Sequence, residues 1–289
     1  MNSDQRQQAI ELYDRFTHDG MDRRDFFARM TMIAGSAAAA SSLIAAISAS
    51  PAAATIVPPT DKRLMTRRSR LAGGNPLKGY VAVRKGARHP PVVVVIHENR
   101  GLNAHIEDVA RRVALQGFIA FAPDMLSNVG GTPADEDAAR DAIGKLDLSQ
   151  AVAQAVDLIR RLKNNQGGNG KVGAVGFCWG GAFVNRLAVA AGDKLDAGVS
   201  YYGPAPSPAE AKRVSAPLTI HLAGLDDRVN KTAWPWITAL REAGKPVTYF
   251  LYDGVNHAFN NDTSAERYHK PAADLAWKRT LRAFRKTLV

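Results

Sequence analysis

Lys171-Val172-Gly173-Ala174-Val175-Gly176-Phe177-Cys178-Trp179-Gly180-Gly181 decides the fold. An apolar strand over Lys171–Gly176 runs into Gly-x-Cys-x-Gly, and Ala182–Ala191 then reads as helix. The glycines two before and two after Cys178 suit a strained strand-to-helix turn, where a Cβ would clash. Such a turn holds the sulfur at a helix N-terminus, and the dipole and free N–H groups there favour a thiolate. The bland alternative is a buried structural cysteine. Cys178 is the single cysteine, so an intramolecular disulfide and a Cys-rich metal site are both excluded. Gly198-Val199-Ser200-Tyr201-Tyr202 makes no rival turn, because the second glycine is missing.

Outward from this turn, strands alternate with helices. Val92–Ile96 is a continuous β-branched run, the mark of a strand buried on both faces. Ile106, Val109, Ala110, Val113 and Ala114 share one helical face, as do Val152, Ala155, Val156, Ile159 and Leu162 after a Ser149 cap. Tyr80–Arg84, Phe118–Phe121, Ala197–Tyr201, Pro217–Ala223 and Val247–Tyr252 read as strands, Ala233–Ala243 as helix. Trp277, Leu281, Phe284 and Leu288 line a closing helix. The expectation is an α/β fold, a mostly parallel central sheet covered by helices on both faces. Its chemistry should collect at the carboxyl ends of the strands.

A nucleophile needs a base and a partner for that base, in the chain order nucleophile, acid, histidine. Gly224-Leu225-Asp226-Asp227 follows one late strand, and Asn256-His257-Ala258-Phe259 follows the next. His257 is the expected proton carrier and Asp226 the expected carboxylate, with Asp227 as fallback. Singly, these residues would read as turn formers and a loop histidine. The loop Ile96-His97-Glu98-Asn99-Arg100-Gly101 follows the buried strand. Its backbone and that of Trp179 are placed to supply oxyanion N–H groups. Glu98 either governs the protonation of Cys178 or forms a salt bridge to Arg100 or Arg111.

The whole chain has 289 residues, 46% hydrophobic and 22% charged, an ordinary globular composition. Its formal charge is +11, yet basic residues are scattered, which argues against nucleic acid as a partner. Residues 1–54 read as an address: Arg23-Arg24 precede an apolar, small-residue stretch from Met30 to Ile47, and Pro51-Ala52-Ala53-Ala54 offers a cleavage site. This looks like a twin-arginine export signal, implying a periplasmic or secreted enzyme with no stable membrane span after export. Met21 is an alternative start. Residues 55–78 read as an irregular lead-in, and 79–289 as one domain.

His97-Glu98-Asn99-Arg100-Gly101-Leu102-Asn103, Ala122-Pro123-Asp124-Met125-Leu126, Gly176-Phe177-Cys178-Trp179-Gly180-Gly181, Gly224-Leu225-Asp226-Asp227 and Asn256-His257-Ala258-Phe259 together resemble the dienelactone hydrolase (carboxymethylenebutenolidase) family of α/β-hydrolases. The resemblance implies a cofactor-free, metal-free hydrolase of a small ester or lactone with a Cys178-Asp226-His257 triad and a thioester intermediate. It further implies Glu98 as the carboxylate that gates thiol ionisation, and Asn99 and Trp179 amides as the oxyanion hole. Family members that open dienelactone hold its carboxylate with two arginines. Here the first of those loops, Leu126 to Gly131, has none, and Asn261 stands four residues past His257. Arg100, Arg228 or Arg267 is left as the substitute, Arg100 foremost. The rival expectation, from another class, is a non-catalytic binding protein on the same fold.

Overall fold

The computed structural model describes residues 1–48, 55–70 and 75–289. The expected cleavage site at Pro51–Ala54 lies outside the described residues.

Eight strands form one sheet: β1 (Leu64–Arg70), β2 (Lys78–Arg84), β3 (Val92–Ile96), β4 (Ile119–Pro123), β5 (Val172–Phe177), β6 (Ala197–Tyr201), β7 (Leu218–Ala223) and β8 (Val247–Tyr252). Their order is β1-β2-β4-β3-β5-β6-β7-β8. β1 and β2 run antiparallel, as do β2 and β4, and the remaining neighbours pair in parallel. β1 falls inside the stretch expected to be irregular. Its Met-Thr-Arg-Arg-Ser-Arg sequence is mostly exposed, so an edge strand is hidden behind loop-like composition.

Consecutive residues of β3 feed opposite faces. Val93 and Val95 pack with Ile106, Val109 and Val113 of α4 (Ala104–Leu115) and with Phe284 and Leu288 of α9 (Lys270–Leu288). Val92, Val94 and Ile96 pack with α6 (Leu148–Lys163), α7 (Trp179–Ala191) and α8 (Asp227–Glu242). The period of two along a strand produces this two-sided core. α5 (Glu136–Gly144), capped by Asp135, lies in a stretch for which the sequence suggests no element. The cap of α6 is Asp147 rather than Ser149.

Residues 1–48 fold. α1 (Ser3–His18), α2 (Arg23–Ala34) and α3 (Ala37–Ile47) bury Ile10, Tyr13, Phe26, Met30, Leu43 and Ile47 in a small core of their own. Asn2 caps α1 through a reciprocal bond with Gln5, and Asp22 caps α2. Among the described residues no single helix is long and apolar enough to cross a membrane. α2 and α3 pass that test only together, bent by 105°.

Candidate active site

Cys178 sits between β5 and α7 with φ 55° and ψ −115°. That left-handed φ is rare for a residue with a Cβ, and the surroundings must enforce it. They do so through the glycines. A Cβ on Gly176 would lie 2.0 Å from the Gly180 carbonyl oxygen, and one on Gly180 would lie 2.4 Å from the His97 carbonyl oxygen. The turn is therefore wedged against the end of β3, where the Glu98-Asn99 loop begins. The Cys178 N–H is tied to the Tyr201 carbonyl at 3.0 Å. As the first residue of α7, Trp179 has an N–H with no acceptor inside the helix.

Asp226 and His257 come from the loops after β7 and β8. Asp226 Oδ1 accepts the Val229 N–H at 3.1 Å as the cap of α8, and Oδ2 meets His257 Nδ1 at 2.5 Å. Asp227, the fallback, is exposed. Burial pushes the His257 ring toward neutrality, but the charges of Asp226 and Cys178 and the hydrogen bond to Asp226 outweigh it, raising its pKa to about 10. Burial likewise opposes the charge on Asp226, and His257 more than compensates, so its pKa is lowered. A ring nitrogen of His257 lies within 4.8 Å of the Cys178 sulfur, and among the described residues its Nε2 has no hydrogen-bond partner.

Glu98 is buried, and neither Arg100 nor Arg111 takes it. Its Oε2 accepts from Asn261 Nδ2 at 2.7 Å, while Oε1 has no partner among the described residues. Asn261, four positions past His257, thus holds the carboxylate beside the thiol. Arg111 binds the Val57 carbonyl and Tyr80, and Arg100 binds Glu136 and Tyr13. Arg100 is thereby committed within the protein rather than offered to a ligand. Arg267 is buried and pairs with Asp14 at 3.3 Å, whereas Arg228 lines the cleft.

The sequence assigns no role to His97. Its Nδ1 donates to the Glu98 carbonyl at 2.7 Å and its Nε2 accepts the Met125 N–H at 3.2 Å. This neutral ring, its pKa lowered by burial, ties the Glu98 loop to the Asp124 loop and stacks on Trp179. Asp124 in turn accepts from the Thr132 and Leu126 N–H groups.

His18 of α1 is the unforeseen neighbour. Its Nε2 lies 3.8 Å from the Cys178 sulfur, its ring stands edge-on to His257 at 5.0 Å, and burial holds its pKa well below the ordinary value. No local signal marks it, because 160 positions separate His18 from Cys178. His18, Cys178 and His257 bring three donor atoms within 4.8 Å of one another, the only set among the described residues that could hold a soft divalent ion. A cleft of about 700 Å³ reaches the sulfur past Asn99, Trp179, Ile143, Leu148 and Pro204.

The sheet order, the strained turn and the three post-strand loops define an α/β-hydrolase-type enzyme. The dienelactone hydrolase family pattern matches residues 77–288. A protein of Escherichia coli O157:H7 named as a carboxymethylenebutenolidase is 30% identical over 227 residues, covering 73% of this chain and 83% of its own. The Usf protein of Aquifex pyrophilus is 32% identical over 237 residues, covering 74% of this chain and 95% of its own. A crystal structure described as a dienelactone hydrolase of Klebsiella pneumoniae superposes with a TM-score of 0.69 at 27% identity, over 77% of this chain and 99% of that one. The chain belongs to the dienelactone hydrolase family, and it is a hydrolase acting on esters or lactones.

Proposed function

We propose that this enzyme hydrolyses a small ester or lactone through a thioester on Cys178, with Asp226 and His257 completing the triad. The observation that carries the reading is the strained Cys178 turn placed within 4.8 Å of an imidazole bound to a buried carboxylate at 2.5 Å. Asp226 keeps His257 protonated near neutral pH, so the imidazolium steadies a neighbouring thiolate. The thiol proton passes to Glu98, which borders the same small cavity as Cys178 and keeps Oε1 free of partners among the described residues. The thiolate attacks the carbonyl carbon, and the developing oxyanion is received by the N–H groups of Asn99 and Trp179. His257 protonates the departing alkoxide as the C–O bond breaks. It then takes a proton from water, which attacks the thioester and releases the acid, and Glu98 returns its proton to the departing thiolate, restoring the thiol.

With Arg100 bound to Glu136 and Tyr13, the site as built favours a neutral substrate over the dienelactone anion. A hydrolysis screen across neutral and anionic lactones and short-chain esters tests this: a strong preference for anions would contradict it. We further propose that residues 1–54 direct twin-arginine export to the periplasm. Support comes from Arg23 and Arg24 at the exposed start of α2, ahead of the apolar α3. Replacing both by lysine should leave the protein in the cytoplasmic fraction; unchanged export would refute the route.

A further inference from the structure

The anchors that hold residues 1–48 to the domain cluster on the loops of the active site. In α1, Gln7 Nε2 donates to Asn256 Oδ1 at 2.9 Å and Arg6 pairs with Glu266 at 3.1 Å. The Thr17 carbonyl accepts from Asn99 Nδ2 at 3.4 Å, and Tyr13 accepts from Arg100 while its ring lies under the Arg267 guanidinium. From the end of α3, the Ile47 carbonyl accepts from Ser264 Oγ at 2.6 Å and Arg267 Nε at 3.1 Å. These partners lie in the loop after β3 or in the segment between β8 and α9.

What the helices do to the reacting atoms is specific. The hydrogen-bond partner of the Cys178 sulfur is His18 of α1, and among the described residues His257 Nε2 is left without one. The space bounded by Cys178, His257, Glu98, Tyr13, Thr17, His18 and Arg267 has a volume of about 20 Å³. That admits roughly one water molecule, where ligand sites span about 300–1,000 Å³. The wider cleft is walled by the same segment, through Phe16, Thr17, His18 and Met21.

We propose that residues 1–48 are an intramolecular inhibitor, with α1 laid over the catalytic loops and His18 drawing the Cys178 thiol away from His257. The enzyme is restrained while α1 is docked, and reaches full activity when the helix lifts or is removed. The docking is suited to release. Its rim includes ion pairs such as Arg6–Glu266, half exposed on the arginine side and individually weak, and the apolar core of α1 to α3 is made of their own side chains. The proposal takes Cys178 as the nucleophile from the preceding section, but it is tested by a readout that needs no hydrolysis.

In the full-length chain, Asp14→Lys sets a second cation against Arg267 and pries α1 away, whereas His18→Ala empties the space above the sulfur and leaves the helix docked. The rate of Cys178 alkylation by iodoacetamide, followed by intact mass, and the hydrolysis of p-nitrophenyl acetate are measured for both. Alkylation should rise about tenfold or more in Asp14→Lys and several-fold in His18→Ala, with hydrolysis rising in step. Alkylation at the parent rate in both variants overturns the proposal. So does faster alkylation with slower hydrolysis in both, which would make α1 a working wall of the site. Faster alkylation with no hydrolysis in parent or variant leaves the inhibitor standing and removes the hydrolase mechanism instead.

Discussion

The domain over residues 77–288 and the helices over residues 1–48 hold together by different means. In the domain, strands such as β3 and β5 are buried along their whole length, so each residue meets neighbours from one of two helical layers. In the N-terminal segment three helices share a handful of buried side chains, and polar contacts to the catalytic loops supply the rest. The first construction fixes the strand ends from which the loops of the proposed triad leave. The second adds no strand to the sheet, and its polar contacts fall on the loop after β3 and the segment between β8 and α9. The difference predicts that damage to the domain is lost chemistry or lost folding, whereas damage to the helices is local.

The sharpest break in that comparison is Cys178→Ala, which should lower hydrolysis of p-nitrophenyl acetate by roughly 10³-fold or more with an unchanged unfolding midpoint. Asp226→Asn comes next, with a loss of about 10²–10⁴ in kcat from a misoriented and less basic His257, read by steady-state kinetics. Gly180→Val should cost about 3 kcal/mol or more in urea unfolding, because the new side chain meets the backbone of Ile96 and His97. Met30→Ala should cost about 2–4 kcal/mol, but only within residues 1–48. Hydrogen exchange would then show faster exchange in α1 to α3 and parent rates in β3 and β5. Uniform loss of protection would merge the two regions into one cooperative unit.

The smallest effect is on pH dependence. His257 binds its proton more tightly folded than unfolded, so its contribution is fully present below the ordinary histidine value and is lost as pH rises through about 10. Asp226, with a lowered pKa, contributes above the ordinary carboxylate value and loses that contribution as pH falls through its folded value. Activity and the midpoint of unfolding should therefore decline together on the alkaline side near pH 10 rather than near 6.5. Asp226→Asn should move that limb down.

Much of the fold can be read in the sequence where burial is continuous. β3 and β6, buried throughout, fall on the residues expected for them, and β8 does so although it is only partly buried, because its β-branched and aromatic run favours a strand. The elements that escape are those whose burial is partial or whose local signals conflict. β1 is an arginine-rich edge, α5 a short polar helix, and α8 carries Pro235 in its interior, which masks the turns before it. Cys178, Asp226, His257 and Glu98 could be proposed from spacing, since each follows a recognisable strand. Arg100 could not be placed that way. An exposed-looking arginine in a polar loop gives no sign that Glu136 and Tyr13 will claim it. His18, Tyr13 and Asp14 were beyond reach altogether, because only the docking of α1 brings them to the thiol.

The central claim is covalent catalysis by Cys178, and rapid quenching of the enzyme with p-nitrophenyl acetate followed by intact-mass and peptide analysis tests it most directly. The account predicts transient gain of one acetyl group on the peptide containing Cys178, formed and discharged at rates that match turnover. Turnover with no acetyl group on that peptide at any time, and undiminished in Cys178→Ala, would contradict it.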